Sequence, residues 1–169
     1  MKNNLVELPI STRDGKFIAR YSENGLAELN FPNAKAFVAP KRSKGGPIPA
    51  RIKNWHRVTE TALKKTLNGK KSKLPPLDWN GATEFQKSVW RQMLKISAGK
   101  TKSYGEISIA IGKPKAVRAV GGACGANPIP VLVPCHRILA ANKKLGGFSG
   151  GLDWKRKLLA TEGVKLTSA

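Results

Sequence analysis

The residues Val133 to Arg137, with the sequence VPCHR, place a nucleophile, a base and a cation side by side. A cysteine attacks as its thiolate, so a thiol with an ordinary pKa of ~8.5 needs a base or nearby positive charge. The apolar run before the motif predicts a buried strand, in which adjacent side chains point to opposite faces. We therefore expect His136 to reach Cys135 only through a turn or a bridging water. A buried, inert cysteine is the alternative.

Acidic residues are scarce after residue 80, and three of the four have a local explanation. Glu84 and Glu106 suit the first turns of predicted helices, and Asp153 suits a helix start. Glu162 instead falls in the last turn of a predicted helix, where the helix dipole disfavours an anion. It therefore needs another partner, either a histidine of a Cys–His site or a surface lysine.

The composition is globular and strongly basic. The 169 residues are 40% hydrophobic and 24% charged, and 31 Lys and Arg against 10 Asp and Glu give a net charge of +21. The excess is even, because residues 1–80 carry 16 basic and 6 acidic residues and residues 81–169 carry 15 and 4. Such a field favours a polyanion, most plausibly nucleic acid. A solvated lysine-rich surface is the alternative; no basic amphipathic helix indicates a membrane surface.

Location and redox state follow from what the sequence contains. The start, MKNNLVELPI, does not read as a signal peptide, and no segment approaches the ~20 apolar residues of a membrane span. Two cysteines, Cys124 and Cys135, are too few for a disulfide framework or a multi-cysteine zinc site. We expect a cytoplasmic protein with reduced thiols.

The first part of the chain predicts a small α/β unit. Alternation on both sides of Asn24-Gly25 predicts a hairpin, residues 33–50 a mobile loop, and residues 54–69 a helix that stops near Gly69. The stretch 70–83, with Pro75-Pro76, predicts a linker. We therefore place the domains at 1–75 and 76–169.

The second part predicts a mainly helical unit. Capping boxes at Thr83–Gln86 and Ser103–Glu106 predict two helix starts, the second helix running to about Ile111. Pro114 suits the first turn of the next helix, which ends near Asn127. Two short helices across a tight turn make a helix-turn-helix candidate. A last helix, DWKRKLLATE, ends at Gly163.

The helix before Asn127 is made almost entirely of small residues. Gly121 and Gly122 each cost a helix roughly 1 kcal/mol relative to alanine. Either this surface packs closely on another helix, or it approaches nucleic acid in a confined groove such as the minor groove, which is ~6 Å wide. Arg118 is then its one long cation.

In order and spacing, several motifs resemble those of the O6-alkylguanine-DNA alkyltransferases. The resemblance is dense over residues 83–163 and is carried by FQKSVW, SYGEI, GKPKAVRAVGGACGANPIPVLVPCHRI, GGFSGG and KRKLLATEG. It implies an RNase H-like α/β N-terminal domain and a C-terminal domain with a winged-helix-like helix-turn-helix and the active-site cysteine. It also implies irreversible, single-turnover transfer of the alkyl group of O6-alkylguanine in duplex DNA to the protein. The sequence does not say whether O4-alkylthymine is accepted as well.

The matching positions give each residue an expected role. Cys135 is the acceptor, His136 a water-mediated base, Glu162 its orienting carboxylate, and Asn127 the hinge that braces the active-site segment. Tyr104 serves guanine N3. The expected contacts to DNA or the flipped base come from Arg118, which fills the vacated stack, and from Ser149, Pro130, Phe148, Ile138, Ser103, Ala119 and Gly121.

Two positions depart from the family's pattern, and several absences are expected. Phe148 stands where relatives often have tyrosine, and Cys124 is a second thiol on the recognition helix. The N-terminal unit lacks the ligands with which some relatives bind zinc, so we expect no metal and no cofactor. The expected partner is double-stranded DNA carrying O6-alkylguanine, bound by a monomer with no membrane and no obligate protein partner.

Two other functions compete. A non-catalytic alkyltransferase-like damage sensor would lack cysteine at the acceptor position, which Cys135 argues against. A basic helix-turn-helix transcriptional regulator would bind a specific sequence, with Cys135 structural and no transfer. We do not expect the fused regulatory form found in some relatives.

Overall fold

The computed structural model describes residues 5–32 and 46–167. Its first part is an antiparallel sheet in the order β1 (Val6–Thr12), β2 (Gly15–Tyr21), β3 (Leu26–Asn30). The predicted hairpin at Asn24-Gly25 is confirmed, since the Ser22 amide donates to the Gly25 carbonyl at 3.0 Å. Of the predicted loop 33–50, residues 33–45 lie outside the described residues.

One helix, α1 (Ala50–Thr66), packs against β1 and β2. It ends where the sequence predicts, because Gly69 has a φ of +70°, a conformation that glycine adopts at little cost. The stretch after it is not a free linker. The Leu26 amide donates to the Pro76 carbonyl and the Asp78 amide to the Leu26 carbonyl, both at 2.8 Å, so residues 76–78 pair with β3.

The second part is built from four helices and a small parallel pair of strands. The helices are α2 (Glu84–Leu94), α3 (Tyr104–Ala110), α4 (Val117–Gly125) and α5 (Leu152–Thr161). The strands are β4 (Lys102–Ser103) and β5 (Ile138–Leu139). Both predicted capping boxes are confirmed, each with its two reciprocal hydrogen bonds. Pro114 is a correction: the N-cap of α4 is Ala116, so this proline precedes the helix rather than opening it.

The strand predicted before Cys135 is also a correction. Residues 128–133 form bends and turns, Val131 has a φ of +74°, and Cys135–Arg137 is a 3₁₀ turn. Prolines at 128, 130 and 134 remove the amides that a strand ladder would need. The apolar side chains between them are buried all the same, with Val131 1% and Val133 0% exposed. These side chains therefore pack into the core although their backbone forms a turn and not a strand.

The core is continuous across the two predicted units. Buried side chains of the N-terminal sheet and α1 join those of α2 to α5 in one cluster. The fold is thus a small mixed α/β protein with one three-stranded sheet and five α-helices over the described residues. Within them, no helix has both the length and the apolar run needed to cross a bilayer.

Candidate active site

Asn127 fixes the turn that carries Cys135. Its Nδ2 donates to the Val133 carbonyl at 2.8 Å and to Cys135 Sγ at 3.2 Å, while its Oδ1 accepts from the Ile129 amide at 3.0 Å. The side chain is 5% exposed, so water cannot readily replace these bonds. One residue at the end of α4 therefore sets both the backbone before the thiol and a polar contact to the thiol itself.

His136 and Glu162 form a buried pair below this turn. Glu162 Oε1 lies 2.9 Å from His136 Nε2, and the two side chains are 1% and 0% exposed. Because a carboxylate only accepts, Nε2 carries the proton and Nδ1 presents its lone pair. Nδ1 is buried and has no hydrogen-bond partner among the described residues. The pair thus fixes the tautomer in which His136 can accept a proton at Nδ1.

Arg137 shares the same carboxylate. Its Nε and Nη2 lie 3.0 and 2.8 Å from the two Glu162 oxygens, and its Nη1 donates to the Ile96 carbonyl. Burial raises the pKa of Glu162, but its bonds to His136 and Arg137 outweigh that and lower it from 4.5 to about 2. Glu162 is therefore ionised, and Arg137, to which sequence analysis gave no partner, neutralises it.

Burial also acts on the base and the thiol. Burial lowers the pKa of His136 despite the opposing pull of Glu162, so the ring stays neutral below its usual 6.5. Burial raises the pKa of Cys135, opposed by the Asn127 hydrogen bond and the charge of Lys155. The resting state is therefore a thiol beside a neutral imidazole, and attack requires a proton to leave.

Lys155 is the residue that sequence analysis missed. It is fully buried in α5, and its Nζ donates to the Ile138 carbonyl at 2.7 Å and the Gly147 carbonyl at 3.1 Å. Burial lowers its pKa to about 8. It ties the strand after Cys135 to the loop before α5. Its neighbours Arg156 and Lys157 are exposed, but the spacing of Lys155 to Leu158 and Leu159 places it on the buried face of the helix.

A cavity of about 190 Å³ opens over the thiol. It brings together five of the predicted site residues with two glycines and the second cysteine. Its lining is Tyr104, Gly121, Cys124, Gly125, Cys135, Gly147, Phe148 and Ser149. The half-buried Tyr104 has its pKa raised by burial, so its hydroxyl stays protonated at neutral pH. The space is thus walled by an aromatic ring, a phenol and glycine backbone.

Two predicted pocket residues, Pro130 and Ile138, are buried and are not part of this lining. The Ile138 carbonyl already accepts from Lys155, which leaves its second lone pair for another donor. Pro130 lies in the turn between Asn127 and Cys135. They adjoin the site rather than wall it in this structure.

The other predicted DNA contacts lie on α3 and α4. Arg118 and Ala119 are exposed, and Ser103 caps α3. A Cβ added at Gly121 or Gly122 would meet nothing within 4 Å, so no close helix contact explains these glycines. Ala123 of the same helix is 3% exposed, so close packing explains that small residue but not the two glycines.

No three His, Cys, Asp or Glu side chains within residues 5–32 and 46–167 are grouped to hold a metal ion. Both cysteines are free and buried.

Comparison with known proteins finds relatives over most of the chain. The sequence model described as "6-O-methylguanine DNA methyltransferase, DNA binding domain" matches residues 84–164. A methylated-DNA–protein-cysteine methyltransferase of Methanosarcina barkeri is 38% identical over 96% of this chain and 97% of its own length. A methylated-DNA–protein-cysteine methyltransferase of Haemophilus influenzae is 36% identical over 89% of this chain and 82% of its own length.

Solved structures show the same likeness over nearly the whole chain. The crystal structure of Mycobacterium tuberculosis O6-methylguanine methyltransferase superposes with a TM-score of 0.74 at 35% identity, covering 94% of this chain and 92% of that one. Mycobacterium tuberculosis OGT in complex with DNA gives 0.70 at 34% identity, covering 93% and 92%. The chain therefore belongs to the methylated-DNA–protein-cysteine methyltransferase family.

Proposed function

We propose that this chain repairs DNA by moving the alkyl group of O6-alkylguanine in duplex DNA onto Cys135 of its own sequence. The observation that carries this is the thiol's setting. Cys135 lines a small cavity, its Sγ accepts from Asn127, and the next residue is a histidine whose tautomer is fixed by an ionised carboxylate. The two relatives from Methanosarcina barkeri and Haemophilus influenzae are named for this transfer, from methylated DNA to a protein cysteine.

The step is a single displacement at carbon. Cys135 Sγ forms a bond to the alkyl carbon as the bond from that carbon to O6 breaks, and the electron pair of the broken bond goes to the base. The thiol proton passes to His136 Nδ1 through a water, and Glu162 stabilises the resulting imidazolium. Tyr104, protonated at neutral pH, donates to guanine N3 and offsets the charge of the leaving base. The thioether is stable, so each molecule acts once.

Substrate capture uses the surface of α3 and α4. We infer that these helices form a helix-turn-helix whose small-residue face enters the minor groove. Arg118 then replaces the extruded nucleotide, whose flipping costs a few kcal/mol. Ala119, Gly121 and Ser103 approach the backbone. The Ser149 amide faces O6, the carbonyls of Cys135 and Ile138 accept from the exocyclic amine, and Phe148 and Pro130 flank the base.

Binding to the DNA backbone draws on the net charge of +21 and is largely independent of sequence. We further propose the division at residues 75 and 76, an RNase H-like N-terminal domain, action as a monomer and activity on O4-alkylthymine. Because residues 76–78 pair with β3, two such domains would be joined by backbone hydrogen bonds.

The test is incubation with duplex DNA containing O6-methylguanine, followed by intact-protein and peptide mass spectrometry. We expect at most one added methyl group per protein, on the peptide that carries Cys135, and none in Cys135→Ser. Folded protein that gains no methyl group would refute the transfer. Sequence-specific binding without transfer would instead favour a transcriptional regulator.

A second experiment tests the Arg118 assignment. Arg118→Ala should slow transfer from duplex DNA more than reaction with free O6-benzylguanine, because only the duplex has a gap to fill. Arg91→Ala, an exposed arginine of α2, is the matched control. Equal slowing on both substrates would reject the role.

A further inference from the structure

The loop between β5 and α5 supplies one wall of the cavity through Gly147, Phe148 and Ser149. Most hydrogen bonds of the loop lie in its first part, around residues 140–144. In the part that walls the cavity, the Gly147 carbonyl accepts from Lys155 at 3.1 Å, and the Gly151 amide donates to the Phe148 carbonyl at 3.1 Å. Ser149 is exposed, and Phe148 is only partly buried. The position of this wall therefore depends on whatever packs behind it.

Phe31, the residue that follows β3, packs behind this loop. It is 9% exposed, and its ring centroid lies 5.7 Å from that of Phe148, at an angle of 75°. The same ring lies 5.0 Å from Trp154 on α5 and 5.6 Å from Phe17 on β2. The pair with Phe148 is edge-to-face and the other two are tilted, and aromatic contacts at these distances stabilise the ring that makes them. One N-terminal side chain thus joins the sheet, the cavity loop and the last helix.

The backbone of the loop also lies against this ring. A Cβ added at Gly150 would lie 2.4 Å from Cε2 and 2.7 Å from Cζ of Phe31, closer than real contacts allow. The φ of Gly150 is not in the left-handed range, so the need for glycine comes from the ring and not from the backbone conformation. Phe31 and Gly150 therefore fit each other across the two units.

We propose that Phe31 is a positioning residue for the reaction, holding Phe148 and Ser149 at the distance from Cys135 that the flipped base requires. This assigns the N-terminal unit a part in substrate binding. It rests on the proposed function, because the loop matters only if a base enters the cavity. The ion pair between Lys157 and Asp14, at 2.6 Å, adds a second tie between α5 and the turn after β1.

The inference separates two properties of the site. Transfer from O6-methylguanine in duplex DNA requires the loop in place, whereas alkylation of Cys135 by iodoacetamide needs only the thiol and its base. Phe31→Ala should slow transfer on the order of tenfold or more, because a displacement of about 1 Å is enough to cost a reaction that much. Its rate of iodoacetamide alkylation at Cys135 should not fall.

A double-mutant cycle tests the fit itself. Gly150→Ala alone should slow transfer, because the new methyl group pushes the loop off the Phe31 ring. The double variant Phe31→Ala/Gly150→Ala should be no slower than Phe31→Ala alone, since the clash is gone. Leu63→Ala, which truncates a fully buried side chain of α1, is the control for loss of N-terminal stability. It should leave transfer at wild-type rate at temperatures where it is folded.

Each outcome decides the matter. If Phe31→Ala does not fold, Phe31→Leu keeps the apolar bulk without the ring and replaces it in the cycle. Additive effects at positions 31 and 150, or equal slowing by Leu63→Ala, would overturn the positioning role. If Phe31→Ala transfers as fast as the wild type, the positioning role of Phe31 is overturned and the proposed function remains intact. A wild-type protein that fails to transfer would overturn both.

Discussion

The two cysteines lie at the same cavity in different surroundings. Cys124 is in α4 between Ala123 and Gly125, and burial raises its pKa to about 12. Cys135 is in a 3₁₀ turn, and burial raises its pKa as well. Only Cys135 has Asn127 Nδ2 at 3.2 Å and a histidine next to it in the chain. Both cysteines line the cavity and both are buried, so these two properties do not explain why one of them would be the nucleophile.

The difference lies in polar groups that can take up a proton or favour a thiolate. Cys124 lies instead in the regular backbone of α4, and burial, the largest influence on its pKa, keeps its thiol protonated. The turn at Cys135 breaks the regular backbone, which lets Asn127 reach the thiol from α4 and Glu162 reach His136 from the end of α5. Reactivity here follows from irregular backbone between two well-formed helices.

Removal of each thiol in turn should show the largest difference in transfer. Cys135→Ala should abolish transfer from O6-methylguanine DNA, and Cys124→Ala should retain it, because only the first removes the acceptor. Mass spectrometry of both variants after incubation with the lesion measures this. A methyl group found on Cys124 in the Cys135→Ala variant would show that both cysteines can act as acceptors.

Loss of the carboxylate comes next. Glu162→Gln should slow transfer on the order of a hundredfold, because His136 loses the anion that stabilises its protonated form. Single-turnover kinetics measures the rate. Glu106→Gln is the matched control, since that exposed residue caps α3 and a glutamine can cap it equally well. Equal rates for the two variants would remove Glu162 from the mechanism.

The same variant should change the stability of the protein in acid. The pKa of Glu162 is lowered from 4.5 to about 2 in the folded state. Its contribution is therefore full above pH 4.5 and is lost as the pH falls towards 2. Denaturant unfolding at several pH values should show a smaller loss over this window in Glu162→Gln than in the wild type.

Asn127 tests whether the turn needs its brace. Asn127→Ala leaves the Ile129 amide without its partner, which should cost about 1 to 3 kcal/mol of the free energy of unfolding. The Val133 carbonyl loses one of its two donors and keeps the Cys135 amide at 2.8 Å. Asn127→Asp keeps the acceptor for Ile129 but loses the donors to Val133 and Cys135. We expect both variants to transfer slowly, and Asn127→Asp to lose stability as well, because its buried carboxylate faces the Val133 carbonyl oxygen. Thermal unfolding and transfer rates together separate the two functions of this side chain.

The pH dependence of transfer should show the smallest change. Burial lowers the pKa of His136 from 6.5, so the ring remains a base below that value. The transfer rate should therefore hold as pH falls through 6.5 and drop only at lower pH, where Nδ1 becomes protonated. A rate that already halves at pH 6.5 would mean that His136 is more exposed to solvent than its burial indicates.

Local elements were predictable where their causes lie within a few residues. The Asn24-Gly25 hairpin and both capping boxes depend on hydrogen bonds between positions at most three apart. The strand before Cys135 was predicted wrongly because an apolar run fits a buried turn as well as a buried strand. The pairing of Pro76 and Asp78 with Leu26, inside the predicted linker 70–83, was not predicted because a contact 50 residues away is invisible in a local window.

The sequence by itself determined the reactive residue types, the family, the basic charge and most helix ends, since these depend on composition or on near neighbours. Tertiary structure alone decided which groups meet. Glu162 reaches His136 across 26 residues, Lys155 turns a surface-like run inward to bind two carbonyls, and Phe31 stands behind the cavity loop. The physical reason is that core packing fixes these contacts, and packing depends on every element at once.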